Sequence, residues 1–237
     1  MIYYDIHTHH HSVQAEDVAI TSVDLRNWDK LPAIFSAVEN ISGNNASEQK
    51  KTNIHPEYYS VGVHPWYPDK SLITKVCVYA ELPSVVAIGE TGLDKITAIG
   101  TYGFKLQQEL FTEHIALSEK IKKPLIIHCV KAWDELLNIR KTIKPTMPWI
   151  IHGFRGNATL ACQLLNTGLY LSFGAFYNRD SLKAAWEKRR LLAETDDTNT
   201  DICNVYAQIA KSLDITVKEL SDEIEELFIH KLLLSFL

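Results

Sequence analysis

The sequence is poor in the features that mark several protein classes. Its 237 residues hold four cysteines (Cys77, Cys129, Cys162, Cys203), widely spaced and without a C-x-x-C pair. That excludes a disulfide framework or a zinc knuckle. No apolar run approaches the roughly 18 residues that would span a bilayer. The first residues lack the basic region and apolar core of a signal peptide. These absences predict a reduced, cytoplasmic protein with no membrane partner. Positive charge is in deficit: 24 Lys and Arg against 29 Asp and Glu leave a net charge of −5. A broad basic surface for coating long nucleic acid is therefore excluded, and a phosphate-bearing substrate would have to be met locally. Internal repeats and low-complexity tracts are also absent.

What the chain does have is core material, with 46% hydrophobic and 22% charged residues. Short apolar, β-branched runs recur over residues 2–7, 18–24, 59–64, 85–90, 124–129, 149–154, 169–173 and 191–196. Several are almost wholly apolar, as strands covered on both faces should be. Helix-like segments fall between most of them, over residues 104–121, 132–143, 158–166, 181–188 and 205–212. Alternation of this kind implies parallel strands, and eight of them in a chain near 250 residues predict one (β/α)8 TIM-type barrel domain over residues 1–237. The first βα unit reads as shortened, because the chain re-enters an apolar run at Val18, too soon after His9 for a crossover helix. Residues 39–56 are polar and hold Ser42-Gly43-Asn44-Asn45, a mobile loop by composition. Thr216 with Glu219 forms a capping box for the last helix. The apolar end, Leu232 to Leu237, should pack across the barrel or in a subunit contact.

The ends of the runs carry the chemistry. In Asp5-Ile6-His7-Thr8-His9 the two histidines share one face of a strand and offer half of a divalent metal site. The third run ends at His64, the fourth at Glu90, the fifth at His128, the sixth at His152 and the eighth at Asp196. In a barrel those ends converge on one face. A single histidine there is more often structural, but this many polar groups buried together without an ion would carry a large desolvation cost. Imidazoles and carboxylates in this number suit two ions sharing a carboxylate, favour zinc, manganese, iron or cobalt and admit magnesium. Two such ions about 3.5–4 Å apart activate a water for hydrolysis, and Asp196 could bind metal and take the proton.

These residues resemble the TatD-type metal-dependent deoxyribonucleases of the amidohydrolase-like barrel superfamily. The matching motifs are Asp5-x-His7-x-His9, Gly62-x-His64-Pro65, Gly89-Glu90-x-Gly92-Leu93-Asp94, Gln108-x-x-Phe111, Pro124-Leu-Ile-Ile-His128, Ile151-His152-Gly153-Phe154-x-Gly156 and Glu194-Thr195-Asp196. The resemblance implies that His7, His9 and Asp196 hold one metal, His128 and His152 the other, and Glu90 bridges. It implies that His64 contacts the scissile phosphate, and that two divalent ions (Mg, Mn or Zn) serve cleavage of DNA, as single-stranded ends, from a 3′ terminus; a monomer is expected, though the sequence does not fix the oligomeric state. Glu90 excludes the carbamylated lysine of phosphotriesterase-like relatives, since Lys95 falls past the strand end. Four positions depart from the family pattern: Val130 where it has an arginine, Arg155 for a serine, Asp197-Thr198 for a proline-containing turn and Leu227 for an asparagine. Lys131 or Arg155 could restore the lost positive charge.

Lesser candidates have plain alternatives. Trp66 could stack a base or pack on Tyr67. Asp94 reads as an orienting or loop residue and Cys129 as packing. His10 and His11 could line the mouth, His55, His114 and His230 have no evident partners, and Asn178 and Arg179 could touch substrate. Two other readings stay open: the same two-metal site acting on a small phosphate ester, lactone or amide, and a non-catalytic metal-binding protein.

Overall fold

Strands that are apolar along their whole length need cover on both faces, and the fold supplies it with a ring of strands inside a layer of helices. The computed structural model of the protein describes residues 1–10, 17–26 and 58–232. Eight parallel strands follow one another in chain order: β1 (Tyr3–Thr8), β2 (Asp17–Asp24), β3 (Tyr58–Gly62), β4 (Val85–Asp94), β5 (Leu125–Val130), β6 (Trp149–Ile151), β7 (Tyr170–Phe173) and β8 (Leu191–Ala193). The ring closes just beyond β8, where the Asp196 N–H donates to the His7 carbonyl at 3.0 Å and the His9 N–H to the Asp196 carbonyl at 2.9 Å. This is the predicted (β/α)8 barrel.

The shortened first unit follows from the strand positions, since β2 begins at Asp17. Its covering differs accordingly. β4 is buried at every position, whereas β2 is buried only at Asp17, Ile20 and Val23. The loop expected over residues 39–56 lies outside the described residues, as do His11, His55 and residues 233–237.

Among the described residues seven α-helices pack outside: α1 (Ile73–Tyr79), α2 (Gly100–Ile121), α3 (Trp133–Ile143), α4 (Ala158–Asn166), α5 (Arg179–Glu187), α6 (Ile202–Leu213) and α7 (Val217–Leu227). α1 is additional to the helices expected. It buries only Val76, too narrow a stripe to show a period in sequence. α2 buries Leu110, Phe111, Ile115 and Leu117, and sets the Phe111 ring 5.3 Å from that of Trp149. α7 begins with the predicted capping box, the Thr216 hydroxyl accepting from Glu219 N–H and the Glu219 carboxylate accepting from Thr216 N–H. Beyond it, Phe228 and Leu232 are buried, and Phe228 lies against Tyr4 of β1 at 4.8 Å between rings. Among the described residues no helix is long and apolar enough to cross a membrane.

Three strands end sooner than their apolar runs. β3, β6 and β8 stop at Gly62, Ile151 and Ala193, and the chain turns before His64, His152 and Asp196 or at them. Gly153 (φ 57°) and Asp196 (φ 55°) mark two of those turns. β4 instead runs on to Asp94, which requires Gly92: at φ 142° a Cβ there would sit 2.0 Å from the His128 carbonyl oxygen of β5.

Candidate metal centre at the strand ends

The parallel strands bring their C-terminal ends to one face, and all the predicted ligand residues meet there around Glu90. Oε1 of Glu90 lies 2.8 Å from His64 Nε2, 2.9 Å from His128 Nδ1 and 2.8 Å from His152 Nε2. Its Oε2 lies 3.3 Å from His7 Nε2 and 3.4 Å from His9 Nε2. Asp196 Oδ1 approaches the same two nitrogens at 3.6 and 3.7 Å. Glu90 is 4% exposed and His7 is fully buried, so this is an interior cluster open to solvent at His9 and Asp196.

Four supporting groups fix the orientation of these rings, and three of them carry no functional assignment from sequence. The Asp5 carboxylate accepts from the N–H groups of His7 and Thr195 and from the Thr195 hydroxyl, locking β1 to the chain beyond β8. Burial pushes that carboxyl up to about 8 despite the three donors. Glu194 accepts from Gly153 N–H and faces His152 Nδ1 at 3.7 Å. Asp94 accepts from Trp66 Nε1 at 2.7 Å, faces His128 Nε2 at 3.3 Å, and is held from behind by the N–H groups of Ile96 and Thr97. This is the orienting role expected of Asp94. Gln107, at 1% exposure, accepts from the Asp94 N–H and donates to the Pro65 carbonyl. The resembling motif contains its neighbour Gln108, without a role. Only helix phase distinguishes these neighbours, and it turns Gln107 inward.

The electrostatics attract positive charge. Burial pushes the Glu90 carboxyl up, but the neighbouring His152 and hydrogen bonds from His128, His152 and His64 outweigh it and hold the group well below the usual carboxylate range. His152 is pushed down by burial and raised more strongly by Glu90 and Glu194, ending well above an ordinary imidazole. His9 is raised by the Glu90 carboxylate 3.4 Å away. Burial lowers His64.

Whether a metal would fit can be judged from atoms the protein leaves unsatisfied. Both ring nitrogens of His7, Oε2 of Glu90, Nδ1 of His152 and Oε2 of Glu194 are buried without a hydrogen-bond partner among the described residues. Buried polar atoms are normally paired, so this concentration at one point calls for a cation. In three groups each residue offers one ligand atom within 4.8 Å of the others: His7, His152 and Asp196; His7, His9 and Glu90; and His64, Glu90 and His128. The donor set of imidazole and carboxylate suits a divalent transition ion.

Outside this cluster the remaining candidates separate clearly. Lys131 and Arg155 line the cleft above the site, which has a volume of about 700 Å³, and neither pairs with an acid among the described residues. Lys95 turns away to Glu135 at 2.5 Å. Trp66 packs edge-on against His64, at 5.0 Å between ring centres, rather than on Tyr67. Asn178 and Arg179 are structural, contrary to their reading as substrate contacts. Asn178 caps α5 by accepting from Asp180 and Ser181 N–H, and Arg179 donates to the Ser212 carbonyl. Cys129 is buried, which pushes its thiol up. His10 reaches the Asp197 carbonyl, and Leu227 is wholly buried.

Known proteins are similar to this chain in sequence and in fold. An uncharacterized metal-dependent hydrolase from Buchnera aphidicola subsp. Acyrthosiphon pisum is 33% identical over 155 residues, covering 59% of this chain and 58% of the relative. One from Buchnera aphidicola subsp. Baizongia pistaciae is 38% identical over 146 residues, covering 58% and 54%. The chain thus spans less than two thirds of these relatives' length. The 3'-5' ssDNA/RNA exonuclease TatD of Klebsiella pneumoniae is 28% identical over 66% of this chain and 65% of its own. Among solved structures, a TatD homolog from Escherichia coli superposes with a TM-score of 0.73 at 20% identity, over 96% of both chains. A TatD family hydrolase from Entamoeba histolytica gives 0.74 at 17%, again over 96% of both, and both likenesses are of fold. A profile described as "TatD related DNase" matches residues 4–230, nearly the whole chain, and the chain belongs to that family.

Proposed function

We propose that the protein is a metal-dependent hydrolase of phosphodiester bonds that shortens single-stranded DNA from its 3′ end. The observation that carries this reading is the buried, unsatisfied donor cluster around Glu90 on the floor of a cleft whose wall bears Lys131 and Arg155, neither with an acidic partner among the described residues. The Klebsiella relative's name as a 3'-5' ssDNA/RNA exonuclease supports the choice of substrate. The net charge of −5 favours contact with a chain end, where a few local cations suffice, over contact along a duplex.

In this reading His7, His9 and Asp196 hold one ion and His128 and His152 the second, with Glu90 facing both. Two such ions supply a water of lowered pKa and stabilise charge on the attacked and leaving oxygens. The protein's own groups do the rest. Asp196, with a 22% exposed side chain at the mouth of the cluster, takes the proton of the attacking water. His64 Nδ1 accepts the Trp66 N–H at 3.0 Å, so the proton of the neutral ring sits on Nε2. That N–H points to Glu90 here and is available to a phosphate oxygen. Burial keeps His64 neutral. Lys131 and Arg155 then meet the phosphate charge from the cleft wall.

The test is hydrolysis of 3′-labelled single-stranded DNA by metal-stripped protein resupplied with Mg, Mn or Zn, with a His128→Ala, His152→Ala variant beside it. Stepwise shortening that needs metal and disappears in the variant is the expected result. Metal uptake without cleavage of DNA would overturn the substrate and direct attention to small phosphate esters and lactones.

A further inference from the structure

One residue beside the site touches both sides of its second half. Trp66 donates its main-chain N–H to His64 Nδ1 at 3.0 Å and its indole N–H to Asp94 Oδ2 at 2.7 Å. The same Asp94 oxygen faces His128 Nε2 at 3.3 Å. His64 and His128 both approach Glu90 Oε1, at 2.8 and 2.9 Å.

The two fixed donors of Trp66 constrain the arrangement. An indole N–H and a main-chain N–H can only donate. His64 Nδ1 must therefore be an acceptor, leaving its proton on Nε2. Asp94 Oδ2 must accept from the indole, and it can then also accept from His128 Nε2. In the ion-free protein His128 Nδ1 donates to Glu90; with an ion bound there instead, a proton held on Nε2 by Asp94 would leave the lone pair of His128 on Nδ1 for the metal. Asp94 cannot rotate away from this duty, because Oδ1 is held by Ile96 and Thr97 N–H and its main chain is held by Gln107. Asp94 is 2% exposed, and the Trp66 ring stands edge-on to those of His64 and His128, at 5.0 and 5.7 Å. Trp66 is itself half exposed, so its indole N–H is directed inward by this hydrogen bond rather than by burial of the ring.

We infer that Trp66 is a positioning residue for the ion on the His128 side: its two N–H groups set the tautomer of His64 and, through Asp94, that of His128, so that His128 presents Nδ1 to metal. The inference rests on the metal-binding reading of the cluster. Partners of this kind are worth about 10- to 100-fold in metal affinity.

The experiment is calorimetric titration of metal-stripped protein with Mn²⁺, for wild type, Trp66→Phe, Asp94→Asn and the double variant. Trp66→Phe keeps the ring and the main-chain bond and removes only the indole N–H. The expected result is two ions bound by wild type, and one of them bound about 10-fold or more weakly by Trp66→Phe, with ion-free melting unchanged. Because Trp66 acts through Asp94, the double variant should be no weaker than Asp94→Asn alone. Equal affinities in wild type and Trp66→Phe, or losses that simply add in the double variant, overturn the inference. Wild type that takes up no Mn²⁺ overturns the metal-binding reading beneath it, so the two failures are distinct.

Discussion

Two fully buried histidines in this barrel have opposite environments. His114, on α2, has both ring nitrogens satisfied: Nδ1 donates to the Leu110 carbonyl at 2.7 Å and Nε2 accepts the Val63 N–H at 3.0 Å. His7, on β1, has neither nitrogen satisfied among the described residues, and its nearest polar neighbours are the carboxylates of Glu90 and Asp196. Burial is the same, so burial does not mark the site. An unsatisfied ring facing carboxylates does, because leaving it buried and unpaired costs free energy that only a cation or a proton recovers. His114 is a structural pin that holds the end of β3, and so the approach to His64, against α2.

The largest effect that would break this contrast is at His7. His7→Leu should lower metal-dependent hydrolysis by at least about 10²–10³-fold, the range for losing one preorganised electrostatic group. In the ion-free protein the same change should leave melting unaltered or raised, since it removes unpaired polar atoms from the interior. Wild type should be stabilised by added Mn²⁺, by roughly 2.7 kcal/mol at a hundred times Kd, and the variant should not. Calorimetric melting with and without ion measures both halves. Retained activity in His7→Leu would mean that its unpaired nitrogens are not what the site is built on.

The second prediction sharpens the other side. Burial lowers His114 to about 4 from its ordinary 6.5. The folded protein therefore binds fewer protons than the unfolded chain between those values. Stability is full above pH 6.5 and falls as pH drops towards 4, by roughly 3 kcal/mol in all. His114→Leu should remove that part of the pH slope, seen as the difference between the two proteins' urea midpoints across pH 4–7. It should also cost about 1–3 kcal/mol at neutral pH by leaving the Val63 N–H without a partner. Its kcat, measured below the melting transition, should stay within about twofold of wild type, because the ring touches no group of the cluster. A fall in kcat comparable to that of His7→Leu would abolish the distinction between pin and ligand.

The same contrast explains what could be read from sequence. Residues His7, His9, His64, Glu90, His128, His152 and Asp196 were legible because each follows an apolar run, and parallel strands deliver such positions to one end. Which buried histidine is satisfied was not legible. The partner of His114 Nε2 is Val63, whose proximity only the folded α2–β3 contact creates. The supports were hidden for the same reason: Asp5 works through Thr195, across the seam that closes the barrel, and Glu194 through Gly153. Asn178 and Arg179 were misread because a polar pair after a strand looks the same whether it caps the next helix or faces a ligand. Gln107 and Gln108 differ only by helix phase. Thus the faces of elements follow from periodicity, while the pairing of polar atoms needs the tertiary structure.

The smallest effect concerns cations that belong to neither type. Lys131 sits past β5 at φ 56°, and Arg155 lies beyond Gly153 with its guanidinium 5.6 Å from the Phe176 ring. Both line the cleft and neither is paired among the described residues, so they stand free to meet an anion instead of holding the fold. At Val130, by comparison, the motif resemblance expects an arginine and the chain has none. If Lys131 and Arg155 replace that charge, Lys131→Ala with Arg155→Ala should raise KM for single-stranded DNA about tenfold, or roughly 1.4 kcal/mol. The change in kcat should be small, since the loss falls on binding common to ground and transition states. The KM of the double variant should also depend less steeply on salt than that of wild type, because fewer phosphate contacts are lost to screening. A KM that does not move, with the wild-type salt slope, would place the phosphate contacts elsewhere. His64 would then be the residue to test, because its Nε2–H already points at Glu90 from the cleft side.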